Sequence, residues 1–381
     1  MTARMTMPMR RGACPSLAAP MVSGDGLLAR LALPDGLSPA QLAGLARAAE
    51  RFGNGLIEVT ARGSLQVRGL RPETAPLLAA EVQTLGIVLP GGPPVLTGPL
   101  AGLDPCEIAD PRPLADALRG FGGPLLPKVS GVVDGGGALR LDGVAADLRV
   151  CATPQGWIVA VGGTAATARE VGRFDAEAAV AEGLAILGRL SARRMRGREL
   201  EVAPGISAGS SREAAPAAGR HALRDGFARG IALPLGQAES AALVALAEAV
   251  DASVAARPAP ERTIVFVGLG EAGDRQLVAT ARRLGFVTEP DDPRLRVVAC
   301  AGAPGCGLGL LETRRIGARL AGEGLLPEGV RLHLSGCEKR CAQPVGPAVT
   351  LLGTTEGPAV TEEGTVVGET LRARLIAEAR R

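Results

Sequence analysis

A short motif occurs twice in this 381-residue chain, and the two copies keep their register over the stretch that follows. GLLARLALP at 26–34 answers GFARGIALP at 226–234, an offset of 200. VRGL at 67–70 answers FVGL at 266–269, and LGIV at 85–88 answers LGFV at 284–287, each at an offset of 199. A unit that recurs in one chain has an apolar face for its copy to cover. The duplication therefore restricts the fold to a pair of like units and what connects them.

Each copy reads as strand, helix, strand pair, helix. In the first, Leu27–Leu33 alternates as a strand. Ser38, Pro39 and Gln41 then supply an N-cap, a first-turn proline and a capping-box acceptor for a helix to Phe52. After the Gly53-Asn54-Gly55 turn, strands 56–60 and 64–68 form a hairpin through Ala61-Arg62-Gly63, and a helix from Pro72 ends at Gly86. This order is that of a ferredoxin-like half-domain. The expected fold is α+β, with a half-domain at 1–94, an α+β segment at 95–215, a second half-domain at 216–292 and a last α+β segment at 293–381. The arginine-rich run 189–198 and the Ala/Pro/Gly stretch 203–220 mark the boundary between halves.

Charge and composition narrow the function classes. A net charge of +3 is too small for a protein that lives on nucleic acid or an anionic membrane. Aromatics make up 2%, with one Trp and no Tyr, which excludes base-stacking platforms. No apolar run of seven residues precedes a cleavage site near the N-terminus, and no 18-residue apolar span exists. Seven cysteines without an export signal point to a reducing compartment, so the expected location is the cytoplasm. Of 42 basic residues only Lys128 and Lys339 are lysines, places where a compact point charge replaces the planar arginine fork.

The cysteines carry the strongest chemical signal. Cys300 and Cys306 form C-x5-C, Cys337 and Cys341 form C-x3-C, and all four fall within 42 positions. Cys300 follows the apolar strand 295–299, and AGAPG then provides a tight loop before a helix from about Gly307. Cys337 follows the strand 331–335. Two strand-end loops with two thiolates each can close around a 4Fe–4S cube. Structural zinc and free thiols are the alternatives, and the five-residue gap disfavours zinc. Cys14, Cys106 and Cys151 lack partners at ligand spacing and read as small buried residues.

These cysteine pairs, the hairpin sequence TARGSLQ at 60–66 and the duplication together resemble the sirohaem-type sulfite and nitrite reductases over nearly the whole chain. In that superfamily the hairpin arginine binds tetrapyrrole carboxylates, lysines after Leu-Pro reach the substrate side, and the last cysteine bridges cluster and sirohaem iron. Arg62, Lys128 and Cys341 are the matching positions. Ser130 stands where the reductases carry a second lysine, and GPLAGLDP at 98–105 lacks their further arginine. RRGACPSLAAPM, GDGLLARL, LPKVSGVVDGGG and SGCEKRCAQP are more similar to the precorrin-3B synthase branch, the oxygen-dependent monooxygenases of aerobic cobalamin biosynthesis. That branch is expected to have His two residues past the last cysteine, where Gln343 stands.

The resemblance implies hydroxylation of precorrin-3A by O2 at a meso position, with closure of a ring acetate as a lactone. It implies a 4Fe–4S cluster on Cys300, Cys306, Cys337 and Cys341, a sirohaem or a mononuclear iron, and electrons from NAD(P)H through a separate reductase. Lys128 is the catalytic candidate, and Arg62 and Lys128 hold substrate carboxylates. Arg11, Arg68 and Arg340 are further candidates for the same electropositive cleft. Lys339 either tunes the cluster potential or is solvated beside it. No nucleic acid or membrane partner is expected.

Two features point elsewhere. Gly268-Leu269-Gly270-Glu271-Ala272-Gly273 is a G-x-G-x-x-G after an apolar strand, with Glu289 and Asp291 about 20 residues on, the pattern of a dinucleotide site. The repeat sets it opposite 67–74, where no such loop exists, and the surrounding order is the ferredoxin-like one. His221 reads as part of the linker between halves and His333 as a core or supporting histidine in the strand before Cys337. A compact sirohaem sulfite or nitrite reductase and a non-catalytic iron–sulfur electron carrier remain the alternative functions.

Overall fold

The computed structural model describes residues 15–202, 214–322, 326–344 and 346–381. Arg11 and Cys14 lie outside the described residues, as does most of the Ala/Pro/Gly stretch between halves. The first copy comprises β1 (Met21–Ser23), β2 (Gly26–Leu31), α1 (Pro39–Phe52), β3 (Leu56–Val59), β4 (Leu65–Leu70) and α2 (Ala75–Thr84). The capping box forms as read: Ser38 Oγ accepts from the Gln41 N–H at 3.2 Å, and the Gln41 side chain accepts from the Ser38 N–H at 2.9 Å. The same Gln41 amide donates to the carbonyls of Leu85 and Gly86, tying the start of α1 to the end of α2.

The chain continues through β5 (Val95–Leu96), α3 (Arg112–Arg119), β6 (Gly131–Asp134), β7 (Ala146–Thr153), β8 (Gly156–Gly163), β9 (Arg169–Phe174) and α4 (Ala176–Arg193). These strands form one mixed sheet in sequence order, with the two helices on its apolar face. The second copy is β10 (Gly219–Ala222), β11 (Phe227–Ala232), β12 (Gln237–Glu239), α5 (Ser240–Glu248), β13 (Ala255–Ala259), β14 (Thr263–Leu269) and α6 (Glu271–Arg283). His221 is therefore a buried strand residue rather than a linker one, its Nε2 3.0 Å from the Ala217 carbonyl oxygen. The last segment holds β15 (Val297–Ala299), α7 (Thr313–Gly322), β16 (Leu332–Ser335), β17 (Ala348–Thr354), β18 (Gly357–Glu363) and α8 (Glu369–Arg380).

The two copies exchange strand edges reciprocally. β12 of the second copy pairs with β3 of the first, Ala238 opposite Ile57. In return Leu37 of the first copy exchanges two backbone hydrogen bonds with Ala256 of β13, at 2.9 and 2.8 Å. Such i-to-j and j-to-i contact is what an internal two-fold relation produces. One core results, in which Leu31, Ile57 and Leu65 of the first sheet meet Ile231, Ile264 and Phe266 of the second across α1 and α5. Each such side chain contributes about 2 kcal/mol by leaving water. The glycine-rich motif at 268–273 spans the end of β14 and the start of α6, and β14's neighbours β11 and β13 are both antiparallel to it, so the motif does not belong to a parallel dinucleotide-binding sheet.

The outward faces of the two sheets differ. On the first, Arg30, Gln66 and Glu58 stand in one cross-strand row on β2, β4 and β3. In the second, the same register positions hold Gly230, Val265 and Arg257. There Ala228, Ala259, Val265 and Val267 are buried against Leu100, Leu139, Ala217 and Leu223. The second sheet's outward face is packed shut over most of its area, while the first sheet's polar face looks toward the last segment. Among the described residues no helix is long and apolar enough to cross a membrane.

Candidate functional site at the cysteine loops

β15, β16 and β17 run parallel, so the loops leaving their C-terminal ends emerge at one edge of the sheet. That geometry brings Cys300, after β15, beside Cys337, after β16. The loops are stitched together by backbone groups. The Cys300 N–H donates to the Leu334 carbonyl at 3.1 Å, the Gly336 N–H donates to Cys300 Sγ at 3.1 Å, and the Leu310 N–H donates to the Gly336 carbonyl at 2.7 Å. Gly336 lets the loops approach closely: a Cβ would lie 3.1 Å from Gly302 Cα and 3.2 Å from Gly309 Cα, and those loops would have to give by a few tenths of an ångström. The helix expected from Gly307 starts instead at Thr313. The Gly307 and Leu310 amides are used to bind the β1–β2 turn and the Cys337 loop, and are not available for a helical ladder.

All four cysteines, Cys300, Cys306, Cys337 and Cys341, line one cavity of about 320 Å3. Burial, then the Cys300 and Cys337 thiols, push the Cys341 thiol up, while Arg68 pulls it down. Among the described residues no three His, Cys, Asp or Glu side chains close around a single ion. Four soft sulfur donors around a space of this size suit a group wider than one metal atom.

The opposite wall is the polar face of the first sheet. The Gln66 amide oxygen, turned to Arg30, accepts from its Nη2 at 2.7 Å and Nε at 3.0 Å. Arg68 donates to Asp25 at 2.7 Å, to Glu58 at 3.0 Å and to Ser23 at 3.0 Å. Burial opposes its charge, but the hydrogen bond to Asp25 and the charges of Glu58 and Asp25 hold it firmly ionised. Arg68 thus anchors the β1–β2 turn, and that turn supports the cysteine loop: the Gly24 carbonyl accepts from the Gly307 N–H at 2.8 Å. Arg262 enters the same cavity from the second copy, 3.6 Å from Glu58. Its Nη1 is buried with no hydrogen-bond partner. Behind the loops His333 is fully buried and held down at about 4, by burial first and then by Arg340 and Arg262, so its ring is neutral at pH 7.

The residues singled out from sequence do not all converge on one place. The four cysteines, Arg68, Lys339 and Gln343 line this cavity. Arg62 does not: its guanidinium donates to Ser130 Oγ at 3.1 Å and to the Ala145 carbonyl, and it lines a second cavity. Lys128 takes up φ +70° and lines a third, its carbonyl accepting from Arg196 at 3.0 Å. Arg340 is turned toward β18, where it pairs with Glu363 and Thr361. Gln343 also pairs with Glu363. Cys106 is exposed rather than buried, and Cys151 is half-buried with its thiol pushed up to about 11 by burial.

Arg30, Glu58, Gln66 and Arg262 were missed. The signal was present: Glu58, Thr60, Gln66 and Arg68 keep the strand period of two, and Arg262 stands 200 positions after Arg62, the offset of the repeat.

Residues 20–85 match the nitrite/sulfite reductase ferredoxin-like half domain. The chain is 38% identical over 387 residues to a precorrin-3B synthase of Sinorhizobium sp, covering 94% of this chain and 84% of that protein. It is 27% identical to a ferredoxin–nitrite reductase of Synechococcus elongatus, covering 87% and 77% of the two chains. Among solved structures the Mycobacterium tuberculosis NirA protein superposes with a TM-score of 0.67 at 19% identity, over 88% of this chain and 73% of that one. The chain belongs to the precorrin-3B synthase family, oxidoreductases within the nitrite and sulfite reductase-like superfamily.

Proposed function

We propose that the protein is a monooxygenase that inserts one atom of O2 into precorrin-3A and closes a ring acetate onto the macrocycle as a lactone, a step of cobalamin biosynthesis. The observation that carries this reading is the single cavity in which four thiols face a row of polar and cationic side chains. A 4Fe–4S cluster held by Cys300, Cys306, Cys337 and Cys341 would supply single electrons there. The overall balance is one macrocycle, one O2, two electrons and two protons giving the oxygenated product and one water. The electrons come from NAD(P)H through a partner reductase; the dinucleotide-like motif at 268–273 begins in a strand whose neighbours are antiparallel.

The chain's own residues bind and orient the substrate. Arg30 and Arg262, and Lys339 at the cysteine loop, present cations to the macrocycle's carboxylates inside the cavity. Arg62 and Lys128, which line the second and third cavities, hold further carboxylates. Arg68 acts at one remove, by holding the turn on which the Cys306 loop rests. Positioning of this kind is worth several kcal/mol to an oxygenation whose acetate must lie next to the carbon it attacks.

The reading is tested by anaerobic purification, iron and sulfide counts and a visible spectrum, then aerobic incubation with precorrin-3A and a reductant. Iron and sulfide near four each, without sirohaem bands, and a product heavier by one oxygen support it. Sirohaem bands, an unchanged precorrin and reduction of sulfite or nitrite would move the assignment to a sirohaem reductase. Reversible redox chemistry without tetrapyrrole affinity would make the protein an electron carrier.

A further inference from the structure

The turn that carries Lys128 is held from behind by a buried ion pair that lies outside the cavities described above. The Val129 N–H donates to the Leu126 carbonyl at 3.2 Å and closes the turn, so Pro127 and Lys128 are its two central residues. Proline first and a positive φ second is the type II pattern, and Lys128 has φ +70°. Glycine is the usual occupant of the second position, because a side chain there crowds its own backbone. A lysine in that place persists only where the surroundings hold it.

Here the surroundings are Asp147, on β7, and Arg196, which follows α4 within the arginine-rich run between the halves. Arg196 Nη2 donates to the Lys128 carbonyl at 3.0 Å and to Asp147 Oδ2 at 2.8 Å, while its Nε donates to Asp147 Oδ1 at 2.7 Å. One guanidinium fixes the turn and is itself fixed by a two-point carboxylate grip. The Asp147 oxygens also accept from the Ser130 N–H at 3.0 Å and the Gly197 N–H at 2.9 Å, so the buried charge is fully bonded. The Asp147 N–H donates to the Ser130 carbonyl at 2.9 Å, which holds the chain leaving the turn on both sides of one residue. Gly197 makes the approach possible, since a Cβ there would lie 2.1 Å from the Asp147 carbonyl oxygen. Glycine at position 128 would form the same turn without strain and without the bond from Arg196. The chain instead places one of its two lysines there and braces it, beside a cavity that no Asp or Glu lines among the described residues.

We propose that Arg196, held by Asp147, is a positioning residue for Lys128: it fixes the strained backbone from which the ammonium reaches a substrate carboxylate. The inference rests on the reading under Proposed function that Lys128 holds such a carboxylate.

The test uses the scarcity of lysine. Endoproteinase Lys-C cuts after lysine, so the chain offers it only Lys128 and Lys339, both exposed. Anaerobically purified wild type, Arg196→Gln and the double substitution D147N/R196Q are digested and the fragments followed by mass spectrometry. The double variant leaves no buried charge unpaired, so it decides the matter if R196Q unfolds. Loss of the charge-assisted bond to the Lys128 carbonyl predicts cleavage there about 10- to 100-fold faster in the variants, with cleavage at Lys339 unchanged. Uroporphyrin, an octacarboxylate macrocycle, is then titrated by absorbance into wild type, R196Q, K128Q and R196Q/K128Q, and R47Q, an exposed arginine elsewhere, controls for the lost charge. Binding about tenfold weaker in R196Q than in R47Q, and no weaker in R196Q/K128Q than in K128Q, is the result expected of a residue that acts through Lys128. An unchanged Lys-C rate at Lys128 overturns the proposal, as does equal acceleration at both lysines or a binding loss from R196Q that is as large in the K128Q background as in wild type. K128Q that binds uroporphyrin as the wild type does overturns instead the reading of Lys128 as a carboxylate ligand, and the digest still decides whether Arg196 sets the turn.

Discussion

If the four cysteines hold the proposed cluster, replacing Gly24 by alanine should strip it from an otherwise folded protein. A Cβ on Gly24 would lie 2.2 Å from Cys306 Sγ, with Leu308 Cδ1 next at 3.5 Å. To restore even 3.0 Å the sulfur must retreat by about 0.8 Å, and by about 1.2 Å to reach an ordinary contact. The backbone cannot take up this shift, because the Cys306 N–H is bonded to the Gly302 carbonyl at 2.7 Å and the next amide, that of Gly307, to Gly24 itself at 2.8 Å. The thiol must therefore rotate or the turn must lift, and iron–thiolate bonds tolerate only about 0.2 Å. The cost to the fold is about 1–3 kcal/mol, a fraction of the about 5–15 kcal/mol typical of a folded domain. Gly91→Ala is the control, since its Cβ would meet nothing within 4 Å. After anaerobic reconstitution, iron and sulfide per chain should fall by more than half in G24A and stay at wild-type level in G91A, with circular dichroism unchanged in both. A full complement of iron in G24A, with the wild-type visible spectrum, would refute the placement of Cys306 as a ligand.

Four further substitutions probe the frame. Arg229 and Asp274 share two 2.7 Å hydrogen bonds with side chains only 10% and 6% exposed, so Asp274→Ala should cost about 3–5 kcal/mol. The Arg47–Glu248 pair is 60% and 61% exposed, and Arg47→Ala should cost under about 1 kcal/mol; equal losses in urea titrations would sink the burial argument. Burial, against the hydrogen bond from the Gly102 N–H, pushes the Glu107 carboxyl from 4.5 up to about 7. Its native state holds the proton more tightly than the unfolded chain does, so its contribution is fully present below about pH 4.5 and is lost as pH rises through about 7. Unfolding temperatures at pH 5 and 7.5 should therefore differ more in wild type than in Glu107→Gln, and identical differences would refute the shift. Arg149 is fully buried and donates to the Leu141 carbonyl at 3.1 Å and to that of Val144. Arg149→Leu leaves both carbonyls unpaired and should cost about 3 kcal/mol; a chemical-denaturation loss below about 1 kcal/mol would contradict it.

Local chemistry was readable wherever it is decided within a few residues. Ser38, Pro39 and Gln41 start α1 because a capping box needs only its own turn. The strands before Cys300 and Cys337 were legible from their apolar runs, with the former beginning at Val297 after a 3-10 turn. The helix after Cys306 was placed six residues early, because what delays it is a hydrogen bond to Gly24, some 280 positions away in sequence. His221 was misplaced for a similar reason: a four-residue strand has little pattern of its own and exists through its pairing with β11. The motif that marks Arg62 carries no information on where its guanidinium points, and only the packing of the first α+β segment turns it to Ser130. Arg262, which does enter the cysteine cavity, carries no motif and becomes visible once the repeat is read as a register.

The cavity itself follows from which residues the two copies placed on their outward faces. Buried polar side chains demand partners, whereas apolar ones demand only contact. The second copy presents Ala228, Val265 and Val267, and leucines from the first α+β segment close over them. The first copy presents Gln66 and Arg68 where the second has Val265 and Val267, with Arg30 and Glu58 in the same cross-strand row as Gln66, and no apolar loop can cover such a row without leaving charges unpaired. The last segment therefore approaches with backbone loops and thiols, polarisable groups that tolerate a polar wall, and the space between is left open. Two copies of one supersecondary unit thus diverge into a packed interface and a site, and the divergence rests on a few side chains at register-matched positions rather than on any change in the strands that carry them.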